Sequence, residues 1–106
     1  MIMLDRVQKI IEAIPSGRVT TYGEVGRVLG INPRQIGRLL HQNDNPEKFP
    51  CHRVVRSNGT LASGYAFGGK EEQRRILELE GISFRGEFIV NFKSRIFRTS
   101  EIDCSA

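Results

Sequence analysis

Residues 21–42, Thr21-Tyr22-Gly23-Glu24-Val25-Gly26-Arg27-Val28-Leu29-Gly30-Ile31-Asn32-Pro33-Arg34-Gln35-Ile36-Gly37-Arg38-Leu39-Leu40-His41-Gln42, read as two short helices and the turn between them. Thr21 and Glu24 have the spacing of a capping box, with Thr21 as N-cap and Glu24 reaching back to it. Val25, Val28 and Leu29 give that helix an inner face, and Gly30 is a natural stop. Asn32 then caps a second helix with Pro33 at its first position. Ile36, Leu39 and Leu40 form its apolar stripe; Arg34, Arg38, His41 and Gln42 lie opposite. Two short helices with a basic face on the second is a helix-turn-helix pattern. A charged outer face is also the ordinary state of any surface helix, so this segment alone leaves DNA and plain solvent both open. Gly37 costs that helix about 1 kcal/mol relative to Ala, which close approach by another backbone, such as DNA, would justify.

Upstream, Val7, Ile10, Ile11 and Ile14 repeat at helical spacing over residues 3–14, and Pro15-Ser16-Gly17 ends the run. Downstream, a polar loop over 43–50 leads to Cys51-His52-Arg53-Val54-Val55, a short and partly β-branched run. Asn58-Gly59 is a two-residue hairpin signal. Residues 62–69 are rich in glycine and aromatic side chains, and 70–80 form a helix ended by Gly81. A last hairpin over 83–91 turns at Arg85-Gly86. Phe92, Ile96 and Phe97 interleave with Lys93, Arg95 and Arg98, and the segment is expected to pack on the core rather than lie along DNA. The expected fold is α+β and mainly helical: a winged-helix-like domain over 1–91 with a helix-turn-helix and small β-hairpins, followed by a tail over 92–106.

At 106 residues and 39% hydrophobic, the chain suits one modest core and not two independent ones. The net charge of +4 favours a polyanionic partner. No apolar run approaches the roughly 20 residues that span a bilayer. Asp5, Arg6, Lys9 and Glu12 stand where a signal peptide would be apolar. A soluble protein of the cytoplasm or nucleus, without membrane contact, is expected. The two cysteines, Cys51 and Cys104, are too few for a disulfide framework. Cys51, His52, His41 and Cys104 lack the paired spacing of a zinc site, so neither metal nor cofactor is expected. Gly64, Gly68 and Gly69 precede a helix without the GK[ST] ending of a phosphate loop; they fit a flexible pocket wall better.

The chemistry concentrates at Pro50-Cys51-His52-Arg53. A thiolate is the nucleophile, and a base or positive charge beside the thiol favours it. Neighbours on a strand point to opposite faces, so a bend after Pro50 or a bridging water is needed to join Cys51 and His52. Gln73, Ile76, Leu77 and Glu80 share one helical face, which turns the Glu80 carboxylate inward. An inward carboxylate needs a partner. Either Glu80 orients His52, which draws the proton from Cys51, or Glu80 simply reaches water beside Gly81.

These stretches resemble the O6-alkylguanine-DNA alkyltransferases, also called methylated-DNA–protein-cysteine methyltransferases. The similar residues are Thr21-Tyr22-Gly23-Glu24, Arg34-Gln35-Ile36-Gly37, Asn43, Pro50-Cys51-His52-Arg53-Val54-Val55, Gly64-Tyr65-Ala66, Gly68-Gly69 and Glu80-Gly81, in family order across residues 3–90. The resemblance implies that Cys51 is the alkyl acceptor, activated through His52 and Glu80, with Asn43 bracing the turn. It implies that Tyr22 helps rotate the nucleotide and protonates the departing guanine, and that Arg34 fills the gap in the base stack. Thr21, Gln35, Gly37, Arg38 and Arg53 would join Arg34 at the DNA, with the second helix in the minor groove. Leu40, Val54, Gly64, Tyr65 and Ala66 would line the base pocket. The partner would be double-stranded DNA containing O6-alkylguanine, bound by a monomer. The nucleotide must leave the stack to be reached.

Two features depart from the family. Most relatives carry a domain before this one, and here the pattern begins almost at Met1; Phe67 interrupts the Gly-Tyr-Ala-Gly-Gly run and bears on alkyl size. The nearest rival is the alkyltransferase-like group, which shares the fold, lacks the acceptor cysteine and flags lesions for excision-repair proteins. Cys51 argues for transfer. A plain winged-helix regulator leaves Cys51-His52 unexplained, and a thiol hydrolase or oxidoreductase leaves the basic helix unexplained.

Overall fold

In a computed structural model the described residues are 3–62 and 64–97. Cys104, and the part of the expected tail beyond residue 97, lie outside them. Helix α1 (Met3–Glu12) buries Val7, Ile10 and Ile11 and is followed by Ile14 in the same core. Each such side chain contributes about 1.5–3 kcal/mol by leaving water. Strand β1 (Thr20–Thr21) runs directly into α2 (Tyr22–Leu29). Thr21 Oγ1 accepts the Glu24 N–H at 3.0 Å, so the cap forms as expected. Glu24 does not close the box; its carboxylate binds Arg27 one turn on. Gly30 ends α2 at φ 73°, a left-handed conformation that glycine adopts without strain.

Helix α3 (Pro33–Leu40) starts with a full capping box: Asn32 accepts from the Gln35 N–H and the Gln35 side chain accepts from the Asn32 N–H. Its buried residues are Ile36 and Leu40, with Leu39 half-buried beside them. A Cβ at Gly26 would sit 2.4 Å from the Ile31 carbonyl oxygen. Only glycine there lets the turn fold back over α2. The helix-turn-helix is therefore present, with Arg34, Gln35 and Arg38 exposed.

A single 3-10 turn, Cys51–Arg53, supplies the bend required after Pro50. It leads to β2 (Val54–Val55), which pairs in parallel with β1, Thr20 opposite Val54 and Thr21 opposite Val55. The reversal expected at Asn58-Gly59 forms as a three-residue loop, with the Arg56 N–H donating to the Thr60 carbonyl, the Gly59 N–H to the Arg56 carbonyl and Gly59 at φ 84°, and not as the two-residue hairpin. Asn58 lacks the positive φ that a type I′ turn requires at both central residues. Its side chain instead accepts from the N–H and hydroxyl of Thr60. Helix α4 (Gly69–Leu79) follows, then β3 (Phe84–Arg85) and β4 (Phe88–Ile89) in an antiparallel hairpin. Its loop is Gly86-Glu87, one residue later than expected. Gly86 takes φ 60° and Glu87 does not follow it, the II′ pattern. Helix α5 (Phe92–Arg95) ends in a parallel bridge between Ile96 and Val19, and Phe97 is buried. Arg18 fixes this closure by donating to the Arg95 and Ile96 carbonyls.

The architecture is α+β and mainly helical. In place of one undivided core, two apolar clusters meet at the β1–β2 ladder. Val54 joins the cluster of α1, α2 and α3, while Val55 joins the cluster of α4 and the hairpin. Alternation along two strand residues thus splits the interior and shares it. Among the described residues, no helix is long and apolar enough to cross a membrane.

Candidate active site

Cys51 stands at the first residue of the 3-10 turn, 5% exposed. Its N–H donates to the Phe49 carbonyl at 2.7 Å. Asn43, itself buried, donates from Nδ2 to the same carbonyl at 2.9 Å, and its Oδ1 accepts from Gln8 Nε2 at 3.1 Å. Asn43 therefore clamps the entry to the turn from α1. From the other side, Gln73 on α4 donates Nε2 to the His52 and Val54 carbonyls at 3.0 and 3.1 Å. The turn is held at both ends by buried amides.

His52 Nε2 lies 3.1 Å from Glu80 Oε2. Of the two readings left open by the sequence, the imidazole–carboxylate pair is the one formed, at the C-cap of α4. Arg53 corrects an expectation. It was placed at the DNA, yet its guanidinium turns inward, grips both Glu80 oxygens and donates to the Ile14 carbonyl at 2.7 Å. A half-buried carboxylate beside a neutral ring needs a cation, and Arg53 is the one within reach.

Burial pushes the Cys51 thiol up, and its bonds to Asn43 and the backbone offset this only in part. The resting sulfur is thus a protonated thiol at neutral pH, contrary to the expectation that its neighbours ionise it. Burial pushes His52 below the ordinary histidine value, against the pull of Glu80, so the ring is neutral. Burial works against the Glu80 charge, but the bonds from Arg53 and His52 outweigh it and hold the carboxyl low. With Nε2–H facing an anion, Nδ1 keeps a free lone pair: the arrangement of a base. No hydrogen bond joins the Cys51 thiol to His52 among the described residues.

A cavity of about 440 Å³ opens beside Cys51. One wall comes from α2 and α3, with Tyr22, Arg34, Gly37, Leu40 and His41. The facing wall is Ala62, Gly64, Tyr65 and Ala66, and Arg56 with Ser57 borders the opening. Gly64 has no side chain where a Cβ would press on His41 at 3.1 Å. The volume lies within the range of small-molecule sites, and the mixture of apolar lining and few polar groups suits a flat ring. Burial raises Tyr65 to about 12 and also raises Tyr22, where Cys51 adds to the rise and Arg56 opposes it. Both phenols stay protonated and can donate.

Val54 departs from its expected place. Its side chain is wholly buried in the first core cluster and does not line the cavity. Phe67 does not line it either. It meets Tyr65 edge-on, centroids 5.8 Å apart, and borders a separate cleft with His52, Arg53 and Glu80. Thr21 is a buried cap, and the Gln35 oxygen is committed to its capping box. Sequence reasoning missed Arg56, Gln73 as a clamp, and Gly26. Gln73 alone left a signal, by its place on the inner face of α4.

Residues 3–82 match the family described as 6-O-methylguanine DNA methyltransferase, DNA binding domain. The chain belongs to that family. A methylated-DNA–protein-cysteine methyltransferase of Methanothermobacter thermautotrophicus is 43% identical over 82 residues, 77% of this chain and 46% of that protein. One of Pyrobaculum aerophilum is 42% identical over 76% of this chain and 55% of its own. The chain spans about half the length of these methyltransferase relatives. Among solved structures, S. pombe Atl1 in complex with damaged DNA containing O6-carboxymethylguanine superposes with a TM-score of 0.77 at 29% identity. That likeness covers 92% of this chain and 99% of Atl1. The O6-methylguanine-DNA methyltransferase of the archaeon Pyrococcus kodakaraensis gives 0.68 at 32% identity, over 77% and 47%.

Proposed function

We propose that this chain repairs DNA by direct reversal: α3 docks in the minor groove, an O6-alkylated guanine swings into the cavity, and Cys51 Sγ takes the alkyl group. The observation that carries this reading is a cysteine opening onto a cavity of purine-accommodating size, next along one turn from an imidazole–carboxylate pair. Family membership supports DNA as the partner. Arg34, Gln35 and Arg38 present the exposed face of α3, and Gly37 keeps its middle low.

His52 Nδ1 receives the Cys51 proton through a water, while the Glu80 anion, held by Arg53, stabilises the imidazolium that results. The new Sγ–C bond forms as the C–O6 bond breaks. Guanine takes a proton from Tyr22, and the His52 proton returns to the phenolate through solvent, so protons balance. Extrusion costs a few kcal/mol of stacking, offset in part by Arg34 entering the gap. The thioether has no route back, so each chain reacts once. Asn43 braces the turn throughout.

The test is the intact mass of the chain after incubation with a duplex bearing one O6-methylguanine. A gain of one methylene, mapped to Cys51 and absent from Cys51→Ser, supports transfer; an unchanged mass refutes it. A second reading is lesion recognition without transfer, with hand-over to excision-repair proteins. The likeness to Atl1 over almost all of Atl1 favours it. It requires unchanged mass together with tighter binding to the alkylated duplex than to the plain one.

A further inference from the structure

Resting on the extruded-base reading, we propose that Arg56 grips the phosphate of the extruded nucleotide at the mouth of the cavity. A nucleotide that enters base-first leaves its phosphates at the opening. Two arginines border that opening from different elements: Arg34 from α3 and Arg56 from the end of β2. Among the described residues, Arg53, Arg74 and Arg75 are committed to carboxylates or carbonyls. Among the same described residues Arg56 makes no ion pair or side-chain hydrogen bond, and its side chain is exposed.

Its backbone, in contrast, is fixed. The Arg56 N–H donates to the Thr60 carbonyl, and its own carbonyl accepts from Gly59, each at 2.9 Å. The Gly59 carbonyl in turn accepts from Ile89 of the hairpin at 3.0 Å. An unpartnered guanidinium on a pinned base is a ready anion site, and its fork matches phosphate oxygens. Its charge also reaches Tyr22 inside the cavity, which places it over the same space. Arg34 enters the stack under the proposed mechanism, so the phosphate falls to Arg56.

The test compares Arg56→Ala with its parent in a Cys51→Ser background, so that the lesion stays intact during binding. Each is titrated at several salt concentrations with a duplex containing one O6-methylguanine and with the same duplex containing guanine. The expected result is a salt slope smaller by about 1 on the alkylated duplex, with no change on the plain duplex. Arg85→Ala, an exposed arginine on the hairpin, serves as control and leaves both slopes alone. An unchanged slope on the alkylated duplex overturns the assignment, as does an equal drop on both duplexes. The extruded-base reading is judged separately: if the parent binds the two duplexes equally and wild type gains no mass, that reading fails and this one with it. If the parent discriminates and Arg56→Ala keeps its slope, only the role of Arg56 fails.

Discussion

Cys51 and His52 are neighbours in sequence but rest on different supports. The thiol is buried in the turn that Asn43 braces, while the imidazole is held by a carboxylate at the C-cap of α4 and shares it with Arg53. A chemical consequence is that acid silences the base before it reaches the nucleophile. His52 lies below the ordinary histidine value, so the transfer rate should stay level down to about pH 6.5 and fall below it. Single-turnover rates across pH test this; a fall beginning well above neutrality contradicts it. Glu80→Gln removes the anion that stabilises imidazolium and should slow transfer by about 10²–10⁴-fold while leaving DNA affinity unchanged. Stability follows the same groups. Glu80 is held below its ordinary value, so its contribution is full above about pH 4.5 and is lost as pH falls through its folded value. His52 is buried neutral, and that too is lost as pH falls below about 6.5. Thermal melts at stepped pH should therefore decline on the acid side, and Arg53→Ala, which lets the Glu80 carboxyl rise toward its ordinary value, should lower stability at neutral pH and make that decline shallower. Cys51, His52 and the inward Glu80 were legible in the sequence, because motif and helical period are local. Arg53 was not: nothing in the order Cys-His-Arg says that the guanidinium joins the imidazole on the same carboxylate.

The helix-turn-helix, α2 and α3, was legible because its caps and apolar spacing act within a few residues. Thr21, Gly30, Asn32 and Pro33 each sit where local chemistry puts them. The β2 segment was not legible in the same way. Val54 and Val55 pair in parallel with Thr20 and Thr21, more than thirty residues earlier, and no local signal marks a partner that distant. Two glycines of this motif now have opposite expected responses to alanine. Gly26→Ala drives a Cβ into the Ile31 backbone and should destabilise the fold by about 1–3 kcal/mol. Gly37→Ala meets nothing closer than Tyr22 at 4.0 Å and should stabilise α3 by up to about 1 kcal/mol. It should at the same time weaken DNA binding, because the new methyl stands on the docking face. Urea melts with binding titrations of both variants check the pair; parallel losses of stability would contradict it.

At the level of the whole molecule, two apolar clusters share one parallel ladder, and the cavity opens where α2, α3 and the glycine-rich segment face each other. The sequence implied one core, and the division was hidden because it depends on a single pair of valines pointing apart. The site gathers residues from both halves: Asn43 and Tyr22 from one, Gln73 and Glu80 from the other. Under the proposed transfer to Cys51, repair would be a one-time event for each folded chain. The most direct measurement is the count of guanines restored per chain when a large excess of O6-methylguanine duplex is supplied. The expected count rises to one and stops, with every reacted chain carrying the methyl group on Cys51. A count that stays at zero, or that climbs past one, contradicts alkyl transfer to that sulfur.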